Sequence, residues 1–161
     1  MSKSMRTTVY TFKVALKGRK SIWRRIEIRG NQTLDDLHEA IFRAFDREEE
    51  HLYSFYFALP GSRGRARIRD ATEYTHPYSL EGPSFFEDEE RHNAAKTRID
   101  ALKLRPGRKF EYLFDFGDSW WHEITVEQTD GAARPGRYPR IVESRGKSPP
   151  QYPDFDEDEE E

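Results

Sequence analysis

The sequence predicts an α+β fold: a mainly antiparallel, curved β-sheet with one principal helix packed on a face. Three observations point there. Several short runs alternate apolar and polar residues, the period of a half-buried strand. One segment, residues 33–45, repeats its apolar residues every three or four positions, the period of an amphipathic helix. The stretch Tyr112-Leu113-Phe114-Asp115-Phe116-Gly117-Asp118-Ser119-Trp120-Trp121-His122 sets large rings on both sides of a glycine flanked by acids, the pattern of a hairpin.

Taken in order, Tyr10, Phe12, Val14 and Leu16 mark the inward face of a first strand, and residues 17–20 turn at Gly18. Ile22, Ile26 and Ile28 line one face of a second strand, interrupted by Arg24, while Trp23, Arg25 and Glu27 take the other. Two such runs around a short glycine turn make an antiparallel hairpin. Asn31-Gln32-Thr33 closes that strand and opens the helix. Thr33 suits the N-cap, and Asp35 and Asp36 occupy the first turn, where the helix dipole favours negative charge. Leu34, Leu37, Ile41, Ala44 and Phe45 form the apolar stripe, with His38 and Phe42 on its edge. Residues 51–59 alternate again, Tyr53, Phe55 and Phe57 against Leu52, Tyr56 and Ala58. Rings on both sides predict a central strand, which Pro60-Gly61 stops. Arg65, Arg67 and Arg69 alternate with Ala66 and Ile68, predicting a short strand with a basic outer face. The rest of residues 61–96 reads as a long surface insertion.

In the ring-rich hairpin, Phe110, Tyr112, Phe114 and Phe116 share one face of the first strand. Trp120, His122, Ile124 and Val126 share one face of the second. Both sets are even-numbered, so a two-residue loop would put the ring faces out of phase. A three-residue loop, Gly117-Asp118-Ser119, aligns them and pairs Phe116 with Trp120 and Phe114 with His122. Residues 138–142 predict an edge strand, which makes five or six strands in all.

The 161 residues read as one domain over 1–153 followed by an acidic, disordered tail at 154–161. Hydrophobic residues reach only 35%, but 14% of the chain is aromatic, so the core is expected to be built on rings rather than on leucine. The absence of cysteine excludes disulfides and thiolate metal sites. No apolar run approaches the roughly 18 residues of a membrane span. Lys3 and Arg6 are followed by no apolar region, so no secretory signal is expected and a cytoplasmic location is. The net charge of −3 hides an asymmetry: seven carboxylates lie in residues 154–161, which leaves +4 for the remainder. A mildly basic body is a weak pointer to a polyanionic partner.

Four separated blocks then resemble one known family. Thr11-Phe12-Lys13-Val14-Ala15-Leu16 with Ile22-Trp23-Arg24-Arg25-Ile26 resembles the opening hairpin of the plasmid pRiA4b ORF-3-like proteins. Thr33-Leu34-Asp35-Asp36-Leu37-His38 resembles their first helix, His51-Leu52-Tyr53-Ser54-Phe55 their next strand, and Asp115-Phe116-Gly117-Asp118-Ser119-Trp120-Trp121-His122-Glu123-Ile124 their most distinctive block. The resemblance implies an intracellular, mostly bacterial or archaeal α+β domain, often encoded near mobile elements and without an established activity. It brings no catalytic assignment. The family often has a second histidine where this chain has Tyr53, and a cysteine and an acid near Ser148-Pro149-Pro150-Gln151-Tyr152; both departures weigh against a metal role here.

Three functional readings follow. Trp23, Arg24, Arg25, Arg65, Arg67, Arg69 and Trp121 offer cations and rings for phosphates and bases. On this reading the chain is a non-catalytic binding module for nucleic acid or a protein partner in a mobile-element context, and Arg24, Arg65, Arg67 and Trp121 share one exposed surface. The second reading is a metal-assisted hydrolase centred on Asp118 and His122. Asp115, Asp118 and His122 are oxygen and imidazole donors, with His38 or His51 completing the set. Strand phase, however, sends Asp115 to the face opposite His122. His38 and His122 could equally act as an acid–base pair lined by Asp118. The third reading is a structural adaptor, in which Asp118 satisfies turn amides, His122 packs among rings and the arginines coat a solvated edge. No cofactor is indicated.

Overall fold

The computed structural model describes residues 8–64, 66–80 and 91–151. Among these described residues the strands number eight: β1 (Thr8–Leu16), β2 (Arg19–Arg29), β3 (Tyr53–Phe57), β4 (Thr72–Thr75), β5 (Arg91–Asn93), β6 (Lys109–Phe114), β7 (Trp120–Ala132) and β8 (Arg140–Arg145). They form one open sheet in the order β5-β4-β3-β6-β7-β1-β2-β8, antiparallel throughout except for the β4–β5 pair. Two α-helices, α1 (Leu34–Ala44) and the single turn α2 (Ala66–Arg69), accompany the sheet.

Register explains which face is the core. Phe12 pairs with Ile26 and Val126, Tyr112 with His122 and Phe55, and Phe114 with Trp120 and Tyr53. Paired residues point to the same side, so the even-numbered rings of β6 and β7 and the odd-numbered rings of β3 pave a single surface. Helix α1 lays Leu34, Leu37, Ala40 and Ile41 on it, all fully buried. The core is indeed made of rings: Phe57 stacks on Phe110 with centroids 4.4 Å apart, and Phe12 meets Phe110 edge-on at 5.8 Å. Each fully buried ring contributes roughly 1.5–3 kcal/mol of transfer free energy.

The helix starts where Thr33 predicted. The Thr33 side chain accepts from the Asp36 amide and the Asp36 carboxylate accepts from the Thr33 amide, a reciprocal cap that satisfies two otherwise orphaned donors. At its far end, Arg24 donates from Nε to the Ala44 carbonyl at 2.8 Å, meeting one of the carbonyls the helix leaves free.

Three expectations change. First, residues 66–69 form a helical turn instead of a basic strand, with the Asp70 amide bonded to the Ala66 carbonyl. Four residues with two apolar members carry too little pattern to tell period 2 from period 3.6. Arg65 lies outside the described residues, as do the Glu87–Glu90 acids and the tail at 154–161. Second, the described part of the insertion adds strands: β4 and β5 extend the sheet beyond β3, which brings the count to eight among the described residues. Third, the ring-rich hairpin keeps its even-with-even phase but pairs Phe114, not Phe116, with Trp120. Its loop is residues 115–119. The Asp115 carboxylate accepts from the amides of Gly117 and Asp118 at 3.1 and 3.2 Å and so ends the strand two residues early. Phe116 is left exposed.

Candidate functional site

Residues 115–119 hold their shape through the side chain of Asp115. Asp115 and Ser119 both have left-handed backbones, with φ of 63° and 57°, and the Ser119 amide returns to the Asp115 carbonyl at 2.7 Å. Aspartate tolerates that conformation because its carboxylate bonds locally. The turn acid is therefore Asp115 rather than Asp118, and the Asp115 carboxylate also lies 3.4 Å from His51 Nε2. Asp118 is exposed and lines a groove at the end of the sheet.

His122 is fully buried on the helix side. Its Nδ1–H donates to the Tyr112 carbonyl at 3.3 Å, and its Nε2 accepts from Arg47 NH2 at 3.0 Å. Burial, and then the neighbouring Arg47 charge, hold its pKa down at about 3. The ring is neutral at physiological pH and out of reach of solvent. Asp118, exposed in the turn, is not among its hydrogen-bond partners. The hydrolase centre expected on Asp118 and His122 is thus split between a solvent-exposed turn and a ring sealed in the core. His38 and His122 do not form an acid–base pair either, because Tyr112 stands between them: its hydroxyl meets His38 Nδ1 at 2.6 Å while its carbonyl meets His122.

Arg47 was not anticipated. Just past the helix, Asp46 adopts φ 54° and the Arg47 amide bonds back to Phe42, which turns the arginine under the sheet. Its guanidinium packs on Phe45, Phe114 and Trp120 at 5.1–5.4 Å, and burial lowers its pKa to about 10. Nothing in the sequence distinguishes this arginine from the surface ones around it.

The face away from α1 carries the odd-numbered residues of β1, β2 and β7. Of the arginines proposed as contacts, Arg24 is buried on the opposite side, under α1, so Arg24 and Trp121 do not share a surface. Arg24 points inward because it occupies the even-numbered face of β2, opposite Val14. Arg25 is engaged by Glu127 at 2.6 Å and by Glu143, and its guanidinium lies 4.9 Å from the Trp23 ring. Arg69 pairs with Asp70. Arg67 Nη2 reaches Glu111, buried beneath it, which also takes Lys17 Nζ. Lys20 and Lys109 both approach Glu123. Cations and carboxylates on neighbouring strands thus largely neutralise one another.

At the end of the sheet, where residues of both faces meet, lies a groove of about 820 Å³. It forms because the β1–β2 turn and the β6–β7 turn run side by side, joined by the Lys17 amide and the Trp121 carbonyl at 3.0 Å. Leu16, Ile68, Trp120, Trp121, Pro149 and Pro150 make it mostly apolar, while Lys17, Arg19 and Asp118 bring charge to it. The two prolines are positioned by their neighbours: Ser148 Oγ donates to the Phe45 carbonyl, and the Gln151 amide group bonds the backbone of Glu48 and Glu49.

A second concavity, of about 570 Å³, opens beside α1 and is lined by Asp35, His38, Glu39, Glu50, His51, Leu52, His76 and Tyr78. His38 stacks on Tyr53 at 4.0 Å and presents Nε2 to both Glu50 oxygens at 3.1 Å. The hydrogen bond from His38 is the main reason that the Glu50 carboxyl titrates below its usual range, whereas burial lifts Glu39 above its own. His38 was legible as a stripe-edge residue; Glu50 and His76 were not, since only the fold returns their segments to the helix.

The model of the plasmid pRiA4b ORF-3-like protein family matches residues 8–153. An uncharacterised protein, y4hQ of Sinorhizobium fredii, is 28% identical over 135 residues, covering 81% of this chain and 58% of its own length. The chain therefore spans a little over half of that relative. The crystal structure of MM3350, a protein of unknown function from Methanosarcina mazei Go1, superposes with a TM-score of 0.67 at 24% identity, over 91% of this chain and 74% of that one. The likeness to MM3350 is one of fold.

Proposed function

This chain belongs to the plasmid pRiA4b ORF-3-like family, and on that footing we propose that it is a non-catalytic binding module whose groove takes an apolar, ring-bearing segment of a protein partner in a mobile-element setting. The observation that carries this reading is the groove framed by Trp120, Trp121, Ile68, Pro149 and Pro150, with Lys17 and Arg19 among its lining residues. Tryptophans in partly enclosed apolar pockets are the residues on which protein interfaces concentrate their binding energy. A polyanion is the weaker partner, because binding phosphate needs cations free to neutralise it, and Arg25, Arg67 and Arg69 are already engaged by carboxylates. Trp121 and Arg67 remain in the contact region under this reading; Arg24 does not.

The test is a selection of displayed random peptides against the intact protein, followed by affinity measurement. Apolar, aromatic-containing peptides should emerge. Trp121→Ala should weaken them by about 30-fold or more, the scale of a binding hot spot, and Arg19→Glu should discriminate among them by charge. Peptides that bind Trp121→Ala as well as wild type, or tight, steeply salt-dependent binding of a short single-stranded oligonucleotide in their place, would refute the reading.

A further inference from the structure

We propose that His38, Glu39 and Glu50 form a site for a divalent transition-metal ion, with zinc the best chemical match. This site lies on the helix side of the sheet and is independent of the groove. One nitrogen of His38 and one oxygen from each glutamate lie within 4.8 Å of one another. The separation of His38 Nε2 from the Glu50 oxygens, 3.1 Å, is already close to the ~3.3 Å between two ligands bound tetrahedrally at ~2.0–2.1 Å to one zinc ion. Glu39 has only to swing inward, which its exposed side chain is free to do.

Three features separate this cluster from a patch of surface acids. First, the imidazole is built in. His38 is 1% exposed, stacked on Tyr53 and packed against Phe114, and Tyr112 Oη sits 2.6 Å from Nδ1. In the structure Nε2–H donates to the Glu50 carboxylate and Nδ1 accepts from the Tyr112 hydroxyl. A metal ion would replace the Nε2 proton, and the ring proton, carried on Nδ1, would donate to Tyr112 Oη, the arrangement by which an outer partner fixes the tautomer of a metal-binding histidine. Second, the charges are lopsided. Asp35, Glu39 and Glu50 line the concavity with His51 and His76, and no lysine or arginine is among the lining residues described. A divalent cation would offset part of that negative charge. Third, the donor set is selective. An imidazole with two carboxylates suits zinc or manganese better than magnesium or calcium, which prefer all-oxygen ligands.

The concavity's open side leaves positions on the ion for water or for a ligand from solvent. His51 and His76 line the same space and can bond to whatever occupies those positions. Asp35 is held back from the ion because it accepts from the Tyr53 hydroxyl. The centre proposed here differs from the one expected from the sequence: His38 is common to both, whereas Asp118 and His122 take no part.

The experiment uses untagged full-length protein, stripped with a chelator and titrated with zinc chloride by calorimetry. The His38 ring nitrogens are followed by long-range proton–nitrogen NMR. One-site binding is expected, with His38 Nε2 shifting as a metal ligand and the ring proton found on Nδ1. The double variant Glu39→Gln and Glu50→Gln should weaken zinc by about a hundredfold or more, since even outer partners of a metal ligand are worth 10–100-fold. Both glutamates are exposed and glutamine keeps an acceptor for His38 at position 50, so this variant should fold while removing both carboxylates. Trp121→Ala should leave zinc affinity unchanged, which keeps failure here distinct from failure of the groove reading. No binding with zinc in large excess, unaltered affinity in the double variant, or a bound zinc that leaves His38 Nε2 unmoved would each overturn the proposal.

Discussion

Acid should destabilise this protein through His122, by an amount that can be worked out from its surroundings. The ring is fully buried, donates to the Tyr112 carbonyl and accepts from a cationic Arg47, so protonating it in place would bury a second positive charge beside the first. Its folded pKa is accordingly lowered to about 3 from 6.5. Above pH 6.5 the residue is neutral in both states and contributes no pH dependence. Below it the unfolded chain takes up a proton that the native state refuses, so stability falls by ~1.36 kcal/mol for each pH unit. That loss reaches about 2 kcal/mol at pH 5 and levels off near pH 3 at about 5 kcal/mol. Equilibrium urea unfolding of wild type and His122→Gln at pH 7 and pH 5 isolates the effect. Groups common to both proteins cancel in the difference. The wild type should lose about 2 kcal/mol more than the variant over this interval, or roughly 1 M in urea midpoint at a typical slope of ~2 kcal/mol per M. In parallel, the ring should remain neutral with Nδ1 protonated down to pH 5 by NMR, a measurement on the wild type that stands even if the variant folds poorly. Arg47→Met should raise the His122 midpoint, because the Arg47 charge is the second cause of its depression. Equal losses in wild type and variant, or a His122 midpoint near 6.5, would refute the reasoning.

Three further perturbations test the architecture. Gly146 has φ +81°, and a Cβ there would stand 2.9 Å from Ile22 Cγ1 and 3.1 Å from its Cα; Gly146→Ala should therefore cost about 1–3 kcal/mol in denaturant unfolding, left-handed backbone alone accounting for 1–2. Asp115→Ala should lose about 1–2 kcal/mol by removing the acceptor for two loop amides at a left-handed position, while Asp115→Asn, which keeps a local acceptor, should lose less than about 1 kcal/mol. Phe110→Ala, which empties the site between Phe57 and Phe12, should destabilise by about 3–5 kcal/mol, the usual range for a buried phenylalanine.

The resemblance noted in the sequence holds: the family model runs from residue 8 to residue 153. Local pattern located the main elements as well. The opening hairpin, the Thr33 cap with its apolar stripe, the ring-bearing central strand and the even-with-even phase of the 110–126 hairpin all appear where alternation or capping chemistry predicted them. These features depend on residues near one another in the chain, whose periodicity must match the geometry of a strand or a helix. Where the pattern was short, as in residues 66–69, or where a side chain could end a strand early, as Asp115 does, the same reasoning misplaced the structure.

Side-chain fate was a different matter. Arg24, Arg25 and Arg47 look interchangeable in the sequence, yet Arg24 caps α1, Arg25 balances two glutamates and Arg47 lies under the sheet against His122. Which carboxylate or carbonyl each guanidinium meets depends on strands brought together from distant parts of the chain. The same holds for the pairing of His38 with Glu50 and for the neighbouring turns that make the tryptophan groove. The amino-acid order alone decided the period of each element and the face that had to be dry. Only closure of the eight-stranded sheet order decided which charges became partners and which stayed buried, because an electrostatic contact is set by distance and solvent exclusion, neither of which is encoded in any one segment.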